Sequence, residues 1–295
     1  MFDNAEGMVF RPPNEANSLI LRVTIGCSHN TCTFCSMYKD VRFRIRPLPE
    51  IIALIDAYAR RFPHVRRVFL ADGDALIAPT DHLLTIMSYL HQVFPRLARI
   101  TCYGGPISIL RKSPEELAKL HSAGLYTVYL GIESGDDEVL QAVNKGVTAA
   151  EMTEAGQKIL AAEIKLSAMI IIGLGGQTHS RQHAIHTAQV INAINPTFLS
   201  ALTLMLQPGS ALRQAADKGK FQPLSAYALM QEIRLLTENI SVAKPCLFRS
   251  NHISNILPLA GTFPNDKEAL LEEIDIALEH CPSNQLPFYN DKGSF

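Results

Sequence analysis

Three thiols crowd into nine residues of this sequence: Cys27, Cys32 and Cys35, spaced C-x4-C-x2-C. Thiolates on one short loop can converge on a single metal centre. A plant-type [2Fe–2S] cluster shares this spacing but needs a fourth cysteine. The next one here is Cys102, 67 residues further on. A structural zinc site also needs a fourth ligand, and His29 lies inside the Cys27–Cys32 loop, where geometry is strained. A third reading makes the missing ligand the point. A [4Fe–4S] cluster held by three cysteines leaves one iron open to bind a substrate or cofactor.

The elements that must position this loop alternate. β-branched or apolar runs at 19–25, 65–70, 98–102, 125–132, 165–172 and 197–206 read as strands. Helical spacing or capping boxes mark 49–62, 81–94, 113–124, 148–163 and 179–194 between them. Six strands, each followed by a helix or helical stretch, imply parallel pairing through right-handed crossovers. The expected fold is α/β, an incomplete (βα)6 TIM-like barrel with a C-terminal helical extension. Its expected parts are an N-terminal arm at 1–16, a core at 17–210 and a helical cover at 211–295. Glycine-rich and polar segments follow the strand ends, so the site belongs on the C-terminal rim.

Composition narrows the function classes. The chain has 295 residues, 27 Lys plus Arg, 28 Asp plus Glu, and a net charge of −1. That balance disfavours bulk phosphate neutralisation and leaves room for a local basic patch. The N-terminus lacks a secretory pattern, and the longest apolar run, at 168–176, is too short to span a bilayer. A cytoplasmic, non-membrane protein is expected, in which clustered thiols serve a metal or catalysis before disulfides. His179, His183 and His186 share a helix face, expected to be solvated. Cys246 and Cys281 show no ligand spacing.

The sequence resembles the radical S-adenosylmethionine (SAM) superfamily, with one residue more between the first two cysteines than the family's usual loop. Phe34 precedes the last cysteine. Ala71-Asp72-Gly73-Asp74 stands where the family has Gly-Gly-Glu. Gly131-Ile132-Glu133-Ser134-Gly135 ends the fourth strand, Gly173-Leu174-Gly175-Gly176 the fifth, and Gln207-Pro208-Gly209 the sixth. The run 131–146 is similar to that of the Elongator catalytic subunit and the methylthiotransferases. The resemblance implies a [4Fe–4S] cluster on Cys27, Cys32 and Cys35. It implies SAM contacts from Phe34, Asp72, Gly73, Asp74, Glu133, Ser134, Gly173 and Gln207.

The implied chemistry is reductive cleavage of SAM to a 5′-deoxyadenosyl radical, which abstracts hydrogen from an unidentified substrate. A small molecule is favoured over nucleic acid, and an external flavodoxin- or ferredoxin-type protein would supply the electron. Tyr103, Arg249, Asn251, His252, Ser254 and Asn255 are candidate substrate contacts. Cys102, Arg249 and His252 are candidate catalytic groups. An iron–sulfur electron carrier that does not cleave SAM and a zinc-stabilised binding protein are the alternatives.

Overall fold

Each of the six runs expected to be strands contains one, and the first, 19–25, breaks into two. In a computed structural model, residues 8–282 and 287–288 are described. Parts of the expected arm and cover lie outside them. Among the described residues the strands are β1 (Leu19–Arg22), β2 (Thr24–Ile25), β3 (Arg44–Ile45), β4 (Arg67–Ala71), β5 (Arg99–Tyr103), β6 (Leu125–Glu133), β7 (Lys165–Ile172), β8 (Phe198–Thr203), β9 (Cys246–Arg249) and β10 (Ala260–Phe263). The helices are α1 (Leu48–Arg61), α2 (Thr80–Val93), α3 (Pro106–Arg111), α4 (Pro114–Ser122), α5 (Asp137–Ala142), α6 (Ala149–Ala161), α7 (Gly176–Ile194), α8 (Ala211–Asp217), α9 (Ala226–Asn239) and α10 (Lys267–His280). No helix among the described residues is long and apolar enough to cross a membrane.

The chain divides into two compact units. The first holds residues up to Asn30, Met37–Leu130 and Ala155–Leu166; the second holds Thr31–Ser36, Gly131–Glu154 and residues from Ser167 on. In the first, β1, β4, β5 and β6 lie side by side in that order, all parallel. Val68, Leu70, Ile100 and Val128 are fully buried. In the second, β7, β8 and β9 are parallel and β10 returns antiparallel to β9. The sheet is mostly parallel and does not close.

The capping boxes form as their chemistry requires. Ser113 Oγ accepts the Glu116 N–H at 3.2 Å, and Glu116 returns the bond to the Ser113 N–H at 2.8 Å. Thr148 and Glu151 repeat the exchange at the start of α6. Helices α3 and α5 lie in stretches where no helix is expected, and α8 opens the expected helical cover. They are six or seven residues long, too short for a 3.6-residue period to emerge.

The main departure lies after residue 210. That stretch is expected to be a helical cover, with helices at 226–240 and 267–280 about a polar segment; both helices form, and two strands are added. Leu247 pairs with Phe198 and Phe248 with Leu199, extending the parallel ladder. The strands are four residues each, too short to stand out amid neighbouring polar residues.

Candidate active site

Cys27 follows β2 and Gly26. Its surroundings explain why Gly73 is a glycine. A Cβ there would sit 2.9 Å from Cys27 Cβ, 3.2 Å from Cys27 Sγ and 3.0 Å from the Tyr38 ring. Tyr38 itself is buried, and its hydroxyl has no hydrogen-bond partner among the described residues. Burial raises its pKa, with Asp72, Tyr103 and Cys27 adding to the effect.

The segment after β4 is held from several directions. Asp72 and Arg22 form a fully buried ion pair, with Nε–Oδ1 at 2.9 Å and Nη2–Oδ2 at 2.5 Å. The Gly26 N–H donates to the same carboxylate at 2.9 Å. The Asp72 N–H donates to Thr24 Oγ1 at 3.0 Å. Asp74, 2% exposed, accepts from the Gly105 N–H at 2.9 Å and from the hydroxyls of Ser28 and Ser108. The two carboxylates, expected beside a cofactor, spend their acceptors on the loop that carries Cys27 and on the turn after β5.

Cys32 is buried and Cys35 half-buried. Their segment is pinned by its own backbone. The Thr33 N–H donates to Val143 O, and the Leu212 N–H donates to Thr33 O, both at 2.9 Å. Phe34 packs against an apolar cluster of Val139, Val143, Leu174, Leu204, Leu206 and Leu212. It therefore anchors the loop as well as offering an aromatic edge.

The end of β6 is strained where chemistry is expected. Glu133 has φ +64°, a left-handed conformation rare outside glycine. Its carboxylate folds back over Gly131, where any Cβ would lie 2.1 Å from Oε1, and Lys145 Nζ pairs with it at 3.0 Å. Sequence reasoning misses Lys145, because a lysine before a glycine gives no local signal of burial.

Ser134 faces inward. Its Oγ meets His183 Nδ1 at 2.8 Å and accepts the Asp136 N–H at 3.0 Å. His183 Nε2 lies 3.1 Å from Ile171 O, which can only accept, so Nε2 carries the proton. Glu232 lies 3.7 Å from that ring. It accepts the Gly173 N–H at 2.6 Å and the Ser180 hydroxyl at 2.5 Å. Burial raises its pKa, while His183, Ser180 and Gly173 pull it down. His183 corrects the expectation of a solvated face on α7: it is 1% exposed. Sequence reasoning also misses Glu232, although a glutamate amid Leu229, Met230 and Ile233 signals a paired buried charge. Gly173, φ +88°, thus has its backbone fixed by α9. Gln207 sits half-buried, its N–H on Met205 O at 2.9 Å.

Tyr103 shares one face of the sheet with Phe69 and Tyr129, edge to face at 5.0 and 6.0 Å. Cys102 points to the opposite face, as alternation requires. It is 1% exposed, and burial, reinforced by Asp74, raises its pKa against the pull of Lys112. The structure does not bring Cys102 to the face that carries Tyr103. Cys246 is buried in β9 with its pKa pushed up to about 12. Cys281 is half-buried.

The C-terminal candidates form a hydrogen-bonded turn. Asn255 Nδ2 donates to Ala201 O at 2.8 Å and to Ser250 Oγ at 3.0 Å, while its Oδ1 accepts from Thr203 Oγ1 at 2.9 Å. Ser254 is buried and accepts the Thr203 N–H at 3.2 Å. His252 Nδ1 accepts the Ser254 N–H at 3.1 Å, and burial lowers its pKa. Arg249 donates to Phe248 O at 2.7 Å and Gly261 O at 3.3 Å. Only Asn251 of the set is exposed. These bonds tie the turn to the end of β8 and to β10.

The radical SAM superfamily profile matches residues 21–188, more than half of the chain. The chain belongs to the radical SAM superfamily. It is therefore an enzyme, and its cofactors are a [4Fe–4S] cluster and SAM. The zinc alternative falls away.

Curated radical SAM relatives include the tRNA-2-methylthio-N(6)-dimethylallyladenosine synthase of Nitrosomonas europaea. It is 24% identical over 245 residues, covering 78% of this chain and 54% of that protein. The enzyme of the same name from Hahella chejuensis is 25% identical over 251 residues, covering 78% and 51%. The chain thus spans about half the length of the curated relatives it matches. Among solved structures, coproporphyrinogen III oxidase from Escherichia coli aligns with TM-score 0.57 at 20% identity, over 75% of this chain and 52% of that one. Methylornithine synthase aligns with TM-score 0.54 at 16% identity, over 87% and 68%. Archaeal Elp3 from Methanocaldococcus infernus aligns with TM-score 0.53 at 14% identity, over 90% and 64%. At these identities the structures speak for the partial-barrel fold.

The residues present fit the family's cofactors. The three thiols of the loop are outside any disulfide. The space beside Cys27 is kept free of a side chain by Gly73, and the buried Tyr38 hydroxyl has no partner among the described residues.

Proposed function

We propose that this enzyme cleaves SAM reductively and uses the product to abstract hydrogen from a substrate. The observation that carries the reading is the three-cysteine loop within a matched radical SAM core. Cys27, Cys32 and Cys35 would hold the cluster, which would supply the one-electron reduction that cleaves SAM to methionine and a 5′-deoxyadenosyl radical.

The protein's share is positioning and exclusion of water. Arg22 and Asp72 fix the backbone at Asp72–Gly73, which offers its polar groups to the SAM amino group. Asp74 acts by holding Ser28 and Gly105 in place. The Glu133–Lys145 pair presents a carboxylate for the ribose or methionine part of SAM. Glu232 and His183 hold Gly173 and Ser134 in place, and Gly173 and Phe34 would be the contacts for the adenine of SAM. Gln207 is proposed as a further SAM contact; Tyr103, Asn251 and His252 are proposed as substrate contacts, with Arg249, Ser254 and Asn255 shaping the turn that carries Asn251 and His252. Cys102 is proposed as a packed thiol. An external flavodoxin- or ferredoxin-type donor supplies the electron, in the cytoplasm.

A small-molecule substrate suits the near-neutral chain. The second reading is RNA, favoured by relatives whose names specify tRNA.

The test is anaerobic reconstitution, reduction with dithionite and incubation with SAM. Accumulation of 5′-deoxyadenosine is expected, and its absence sinks the reading. Alanine at Cys27, Cys32 or Cys35 should abolish the intact cluster and the product together.

A further inference from the structure

A basic surface covers the N-terminal ends of the strands in the first unit. The α1–β4 connection and its flanks carry Arg60, Arg61, His64, Arg66 and Arg67 within eight residues, on a chain whose net charge is −1. Arg60, Arg61, His64, Arg66 and Arg67 are all exposed. Among the described residues none of the four arginines has a carboxylate within ion-pair distance. His64, Arg66, Arg67 and Arg99 line one groove of about 660 Å³ with Tyr126, and no acidic residue lines it. Arg67 and Arg99 are register partners on adjacent strands, so two guanidinium groups start side by side. Like charges placed so are destabilising. The nearest carboxylate, Glu15, is 3.9 Å from Arg99 and already accepts from Tyr129 and Ser18.

Two exposed aromatics border the cations. Phe62 is 42% exposed with Arg61 5.5 Å from its ring centroid, and Tyr126 is 39% exposed with Lys165 Nζ 4.5 Å from its centroid. Uncompensated arginines interleaved with exposed rings suit a chain of phosphates with unstacked bases. The cations span the starts of two strands and the end of a helix, too wide for a single phosphate group.

We propose that this face docks the phosphate backbone of an RNA. The proposal goes beyond the substrate readings of the rim site and concerns binding only.

The test uses the reconstituted full chain and a fluorescently labelled RNA stem-loop, read by anisotropy over a salt series. The double variant Arg66→Gln/Arg67→Gln should weaken binding tenfold or more. The slope of log affinity against log salt should become shallower by about 0.9 for each phosphate that is no longer neutralised. Lys218→Gln/Lys220→Gln, exposed and in the second unit, should bind as the parent does. Unchanged affinity in the Arg66/Arg67 variant overturns the proposal. So does equal, equally Arg66/Arg67-dependent binding of duplex DNA, heparin or anionic lipid vesicles. Formation of 5′-deoxyadenosine without RNA is measured in parallel. Its loss in the parent with RNA binding intact refutes SAM cleavage alone; its persistence in a variant that no longer binds RNA separates the two roles.

Discussion

Asp74 shows how a residue can be essential to a site through its neighbours. Its carboxylate satisfies one backbone N–H and two hydroxyls in a buried pocket, and one of them, on Ser28, is next to Cys27. Alanine there leaves these donors without an acceptor, at about 1–3 kcal/mol for each buried group left unpaired. Urea denaturation of Asp74→Ala should therefore show a loss of about 3 kcal/mol in stability. Asparagine, which keeps one oxygen, should recover part of the loss; equal stability of parent and alanine variant would show that the bonds contribute nothing. Sequence alone marked Asp74 as an acidic residue after the second strand of the barrel. It could not show where the oxygens point, because Ser28, Gly105 and Ser108 come from separate segments of the chain.

At the scale of elements, α7 and α9 meet the end of β7 through a buried polar network rather than an apolar seam alone. Glu232 is its hub. Burial holds its carboxyl above the ordinary value of 4.5. A group that binds its proton more readily in the folded state makes stability fall as pH rises from the ordinary carboxylate range upward. Glu232→Gln removes that charge but keeps an oxygen for the Gly173 N–H. Its melting temperature should fall less steeply than that of the parent as pH rises above the ordinary carboxylate range. Parallel curves would show that Glu232 does not titrate there. His252 carries the opposite sign: burial lowers its pKa, so the stability it confers as a neutral ring is lost as pH falls below its ordinary 6.5. Gly135 adds a steric constraint to the same region. A Cβ there would sit 2.3 Å from His186 O, so the loop after β6 and helix α7 approach at backbone level.

For the whole molecule, the six cysteines divide by environment. Cys102 and Cys246 are sealed in the sheet with raised pKa values, which disfavours the thiolate needed to bind metal. Reconstituted protein should hold about four irons per chain, one cubane cluster. Serine at Cys102, Cys246 and Cys281 together should leave that number unchanged by iron analysis. A loss of iron would place one of them on a cluster.

The six βα units, the cysteine loop and the rim that bears the site were legible in the sequence. Each is a local signal: alternating runs, capping boxes, and a spacing that one loop can carry. Strand alternation by itself also sets Tyr103 and Cys102 on opposite faces, since it needs no partner. Tertiary structure decided which polar groups remain for ligands. It committed Asp72 to Arg22, Ser134 to His183 and Asn255 to the end of β8. It turned part of the supposed helical cover into strands, and it gathered Arg66, Arg67 and Arg99 into one groove. Those outcomes depend on segments distant in the chain meeting across packed elements, and no local periodicity encodes which donor will reach which acceptor.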